Sequence, residues 1–286
     1  AVAIARAEAA RVYTLTVTAD IAYSQPMLPM SNPAITQLRV AGNGHTLDAQ
    51  GQGRVLTLNN LQALTLHNLT LTGGQTDDNS NERDGGGVAF TCGDDLVCNW
   101  TVLNTTITAN HAYGGGGIDY YCAYHGNGTL LVQDSVISNN SAVSQGGGLV
   151  YSSDEESGPC SLAIRNSTIE DNQAVDGGGV RIYRPRVTIS DATIRNNIAT
   201  QVGGGLMARI SDGFIDMTIL RTTISGNQAG TSGGGVYIAS PEQTFEMQFV
   251  NSTISGNSVT SGAGGCFYLR ESNDSLRIAL IVSSSG

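Results

Sequence analysis

Two stretches near the C-terminal end, RTTISGNQAGTSGGGVYIAS (221–240) and NSTISGNSVTSGAGGCFYLR (251–270), match column for column at a spacing of thirty residues. The same pattern runs back through the chain. A glycine cluster followed by an apolar residue recurs as GGGVAF (85–90), GGGIDY (115–120), GGGLVY (146–151), GGGVRI (177–182), GGGLMA (203–208), GGGVYI (233–238) and AGGCFY (263–268). Interleaved with it are NTTITAN (104–110), DSVISNN (134–140), NSTIEDN (166–172), DATIRNN (191–197), RTTISGN (221–227) and NSTISGN (251–257). Each unit carries three short runs rich in Thr, Ile and Val, separated by Gly, Asn or Asp turns, and no run has a helical apolar stripe. A unit of about thirty residues is short for a propeller blade of roughly 40–45 and suits one coil of a three-faced solenoid. The expected fold is all-β: a right-handed single-stranded parallel β-helix over 35–286, preceded by an N-terminal cap and lead-in strand over 1–34.

In such a coil each strand pairs with its equivalent in the next at about 4.8 Å, so like residues stack on like. The column Ile107, Ile137, Ile169, Ile194, Ile224, Ile254 and the apolar column after the glycines are expected to fill the core. Two positions on, Phe90, Tyr120, Tyr151, Ile182, Ile238 and Tyr268 should also point inward. Asn110, Asn140, Asn172, Asn197, Asn227 and Asn257 read as a ladder of amides at a turn. The glycines read as backbone devices; a phosphate-cradling loop would need Lys and a following helix. In this register Cys266 follows the last glycine, where Val236 stands in the earlier copy, and is expected as a buried core thiol.

Composition narrows the functions. The 24 acidic against 14 basic residues give a net charge of −10, which argues against a nucleic-acid partner. All the basic residues are Arg, so Schiff-base chemistry is excluded. No apolar run approaches the roughly 20 residues of a membrane span. The opening AVAIARAEAA (1–10) reads as a short capping helix, or as the remnant of a signal peptide.

The alternating motifs, with ITAN, ISNN, IEDN, IRNN and ISGN on one side and GGGV, GGGL and GGGI on the other, resemble the repeats of the polymorphic outer membrane protein family. They are also similar to the wider group of secreted parallel β-helix proteins that includes pectate lyases. Ile stands where that family usually has Phe, and Gly mostly where it has Ala. The resemblance covers about residues 35–270 and implies a secreted or cell-surface location, with adhesion as the usual role.

The cysteines fit an oxidising compartment. Cys92 and Cys122 share one column, Cys98 and Cys160 another. Two pairings follow: Cys92–Cys98 with Cys122–Cys160, which leaves no partner two coils away and is preferred, or the stacked Cys92–Cys122. A zinc site with His125 is the rival, although paired CxxC spacing is missing.

A polysaccharide enzyme on this fold needs clustered carboxylates on an outward face. The outward positions beside the glycines are Ala89, Asp119, Val150, Arg181, Met207, Tyr237 and Phe267, and they stack no two acids. Acidic residues gather in inserts instead. Asp77, Asp78, Glu82 and Asp84 offer a weak Ca²⁺ set, against the simpler reading of a solvated loop, and no other cofactor is expected. Asp94, Asp95, Asp154, Glu155 and Glu156 form a second acidic group. Tyr121, Arg181, Tyr183, Arg209, Tyr237 and Phe267 make a possible ligand or partner face, basic in its middle through Arg181, Arg184, Arg186 and Arg209. No outward threonine column is evident, so a flat ice-binding face is not expected. The apolar run SLRIALIVSSSG (275–286) has no evident cap and would suit an end-to-end or C-terminal docking partner. The leading reading is a non-enzymatic extracellular scaffold for adhesion or assembly, its partners other surface proteins or polysaccharide. A polysaccharide-binding or polysaccharide-degrading β-helix is the alternative.

Overall fold

The computed structural model describes residues 11–31, 35–76, 84–154, 159–184, 186–209, 215–240, 245–271 and 278–283. It is a parallel β-solenoid, with no helix among the described residues. Four parallel sheets of ten, nine, six and nine strands run its length. One coil reads Asn127–Gln133, Val136–Ser138, Ser141–Gln145 and Leu149–Ser153, one strand from each sheet in turn, before the chain re-enters the first sheet at Ser161–Arg165. The third sheet was not expected. Its strands shrink to two residues, such as Gln173–Ala174 and Ile198–Ala199, too short to register as a β-prone run. The sheets also take in Arg11–Thr16, Ile21–Ala22 and Met30–Ser31, upstream of residue 35. The expected cap over 1–10 lies outside the described residues. Ile278–Ser283 pairs with Phe245–Val250 as a strand of the first sheet.

The core follows the stacking rule. Ile107, Ile137, Ile169, Ile194 and Ile224 are fully buried in one inward ladder. Trp100 anchors the first half: its Nε1–H donates to the Leu61 carbonyl at 2.6 Å. Its ring lies 5.0 Å from Phe90 and 5.5 Å from Tyr120, which stacks on Tyr151 at 4.8 Å. The Asn ladder forms throughout. Each Nδ2 donates to the next Oδ1 at 2.9–3.0 Å from Asn110 to Asn257, and that Oδ1 also accepts the preceding Asn backbone N–H.

The structure holds Cys92–Cys98 and Cys122–Cys160 as disulfides, the first of the two pairings. Those four sulfurs are therefore no zinc ligands, and His125 meets Asp95 at 3.2 Å instead.

The last glycine motif corrects the sequence register. Ala229 pairs with Val259, thirty on, but Ser232 pairs with Ala263, thirty-one on. The extra residue is absorbed near Gly262, at φ 115°. Val236 therefore pairs with Phe267, Tyr237 with Tyr268 and Ile238 with Leu269. Phe267 points into the core, edge-on to Phe249 at 6.1 Å, so it leaves the expected ligand face, and Tyr268 takes the outward place. Cys266 falls in the third-glycine column and is exposed, not a core thiol. Elsewhere that column tolerates no side chain: a Cβ on Gly117 would lie 2.6 Å from the Gly148 carbonyl oxygen of the next coil.

A second correction concerns threonine. Thr46, Thr70, Thr106, Val136, Thr168, Thr193, Thr223 and Thr253 form one outward column of the second sheet. It was missed because the Thr-Ile-x strands are only three residues long. The neighbouring column is broken by Asp48, Glu170 and Arg195, the last two ion-paired at 2.6 Å, so the face is not uniform.

Candidate functional site: a crease beside the glycine triplets

Where the third sheet turns into the fourth, the first glycine of each triplet sits at positive φ, 60° at Gly115 and 64° at Gly177, a region costly for residues with a Cβ. The chain folds back so sharply that the outward residue four positions on lies over that glycine. A Cβ on Gly115 would come within 2.8 Å of the Asp119 Cβ, and one on Gly177 within 2.9 Å of the Arg181 Cβ. One wall of the resulting crease is the column Ala89, Asp119, Val150, Arg181, Met207, Tyr237, Tyr268. The other is the residue preceding each triplet, including Asp84, Gly114, Gln145 and Asp176. Although outward, Val150, Met207 and Tyr237 are only 3%, 5% and 5% exposed.

Two charged clusters occupy the crease. In the first, Arg54 Nε donates to the Asp84 carbonyl at 2.6 Å. The Asp84 carboxylate lies against Gly114, where a Cβ would stand 2.7 Å from Oδ1. Asp119 faces the same space. Desolvation, and secondarily the Asp84 charge, push its carboxyl up to about 8, with Arg54 opposing. Asp119 retains partial surface exposure, so its carboxyl is desolvated by the surrounding walls without being sealed off.

In the second cluster, one Asp176 oxygen accepts the Val202 N–H while Oδ1 is buried and hydrogen-bonded to nothing. Arg181 Nε is likewise buried without a partner. Burial raises the Asp176 pKa against the pull of Arg181 and Arg209, and burial lowers that of Arg181. Arg209 pairs beside Tyr183 in the next coil. The Tyr183 ring is flanked by Arg181 and Arg184, their Cζ atoms 5.8 and 5.1 Å from its centroid.

The remaining expected residues separate. Tyr121 donates to Asp154 at 2.7 Å and is pushed up to about 12, chiefly by burial. Tyr237 stacks on Tyr268 at 5.5 Å with planes 8° apart. Stacked along the solenoid axis, these two rings form a column and not a flat shared platform. Asp77, Asp78 and Glu82 lie outside the described residues, as do Glu155 and Glu156. Among the described residues no three His, Cys, Asp or Glu are grouped to hold a metal. Sequence reasoning missed Asp176. Its signal was the acid directly before the triplet in DGGG, at 84–87 and again at 176–179.

Residues 221–239 match the model of the Chlamydia polymorphic membrane protein (Chlamydia_PMP) repeat. That stretch is about two thirds of one coil, running from the second-sheet strand Thr223–Ser225 through the Asn227 turn and the glycine triplet to Ala239 in the fourth sheet. No curated protein and no solved structure is a significant match to the chain.

Proposed function

We propose that this protein is a non-enzymatic, secreted or cell-surface β-solenoid scaffold that acts in adhesion or assembly with other surface components. The observation that supports it most directly is the repeat match at 221–239, set within a stack of like coils paired in register from Val88 to Ser240. A rigid array of this kind suits extended display of binding surface. Beads coated with the chain should adhere to cultured epithelial monolayers, and beads coated with the reduced, unfolded chain should not. Equal adhesion of the two, or none beyond albumin-coated beads, would refute the adhesive role.

One observation favours a second reading, a polysaccharide-degrading enzyme. Asp119, held protonated near neutral pH beside Asp84, has the character of a general acid. Release of reducing ends or unsaturated products from polysaccharides, abolished in Asp119→Asn, would decide for it.

A further inference from the structure

We infer that the crease at Arg181, Arg209 and Asp176 is a binding site for an acidic sugar, one that carries a carboxylate or sulfate next to free hydroxyls. The inference deepens the adhesive reading and rests on it for its biological setting. Its physical basis is a set of groups built into half-buried ground and left incomplete. Buried polar atoms in folded proteins are nearly always hydrogen-bonded, and those that are not call for an explanation. Here two belong to residues flanking the same Gly177 turn, an acceptor at Asp176 Oδ1 and a donor at Arg181 Nε. The Coulomb attraction between these residues is felt at Asp176, yet neither of these two atoms is hydrogen-bonded.

The ligand must therefore bring both an acceptor and a donor. Arg181 and Arg209 add two positive charges against the single carboxylate of Asp176, and their mutual repulsion is felt at Arg181. An anionic group set between them relieves that repulsion and offers the acceptor Arg181 Nε lacks; charge-assisted bonds of this kind are the stronger class. Asp176 Oδ1 needs a hydroxyl or N–H beside that anion. An acidic sugar carries both on one rigid ring, and the Tyr183 ring next to the guanidiniums gives its C–H face a surface. Ionised Asp and Glu side chains are acceptors only and leave Asp176 unanswered. Neutral sugars leave the arginines unanswered.

The test uses calorimetric titration of the full chain with oligogalacturonate, a heparin hexasaccharide, maltohexaose and poly-glutamate. Saturable binding is expected for at least one of the first two, which together distinguish carboxylate from sulfate, and for neither of the others. Arg209→Gln, at an exposed position, and Arg181→Gln should each weaken that binding about tenfold or more with an unchanged circular dichroism spectrum. Arg195→Gln, on the second sheet, should leave it unchanged. Absence of binding by both acidic oligosaccharides, equal binding of poly-glutamate, or wild-type affinity in Arg209→Gln overturns the inference. Bead adhesion that persists while acidic sugars fail to bind leaves the scaffold reading standing, and sugar binding without bead adhesion does the reverse.

Discussion

Replacing Asn172 by Ala cuts the amide ladder at its middle. The Asn172 Oδ1 accepts two bonds from Asn140, one from the backbone N–H and one from Nδ2, each 3.0 Å long. Its own Nδ2 donates to the Ile137 carbonyl and to Asn197 Oδ1, also at 3.0 Å. Alanine leaves two buried Asn140 donors without an acceptor, and a buried unsatisfied group costs about 1–3 kcal/mol. The expected loss is therefore about 2–6 kcal/mol, large beside a domain stability of about 5–15 kcal/mol. Asn257, at a part-exposed coil, is the control. Water can replace its amide there, and Asn257→Ala should cost about 1 kcal/mol. Urea unfolding followed by the fluorescence of the sole tryptophan, Trp100, and by far-UV circular dichroism measures both. Solenoids can open coil by coil, so hydrogen exchange at the Asn140 amide gives a local readout, and it should accelerate sharply in Asn172→Ala. A cost below about 1 kcal/mol, or one equal to that of Asn257→Ala, would refute the ladder as a stability element.

Three further outcomes are expected. The Asp119 carboxyl is raised to about 8 in the folded chain, against about 3.9 unfolded, so the native state holds the extra proton between those values. Stability should then fall as pH rises from about 4 to 8 and level off above; the full shift corresponds to about 6 kcal/mol, and partial exposure reduces it to about 2–3. Urea titrations at pH 5 and pH 8 should show this slope vanish in Asp119→Asn, and a slope that persists would remove Asp119 as its source. The Tyr151 hydroxyl is buried without a partner in the stack on Tyr120, so Tyr151→Phe should be neutral or stabilising by about 1 kcal/mol in thermal melts. A clear loss of stability would mean the hydroxyl is bonded. Cys266 should react with a maleimide in the native, unreduced protein at one thiol per chain, and protection until unfolding would reinstate the core position that the strand register denies it.

The periodicity of the sequence was enough to read three of the four sheets and the Ile and Asn columns, and to narrow the disulfides to two pairings, the preferred one of which the structure holds. In a parallel stack the alignment of repeats is itself the contact map. Reading failed where that equivalence broke. One inserted residue near Gly262 moved Cys266, Phe267 and Tyr268 by one place, and with a side-chain period of two a single step exchanges inside for outside. The site was harder to read for a different reason. Asp84 and Asp119 are 35 residues apart and Asp176 and Arg181 five, and nothing in either spacing announces contact. They meet only because the first glycine of the triplet turns the backbone through a conformation that the bare letter G does not specify. The threonine column shows the converse: it lay in plain view at each Thr-Ile-x strand, but its strands were too short to weigh.

The third-glycine column also bears on how such an array grows. Tandem duplication lengthens a repeat protein by copying a unit into its own interior, where a coil follows on both sides. A copy of the unit ending at Gly235 fits any interior slot, since its third glycine leaves room for the carbonyl of the following coil. A copy of 251–270 does not. Its cysteine would meet the same oxygen that a Cβ on Gly205 would approach to 2.7 Å, and the copy could settle only after reverting to glycine. Among these units, then, those that keep glycine in this column accept a following coil without change.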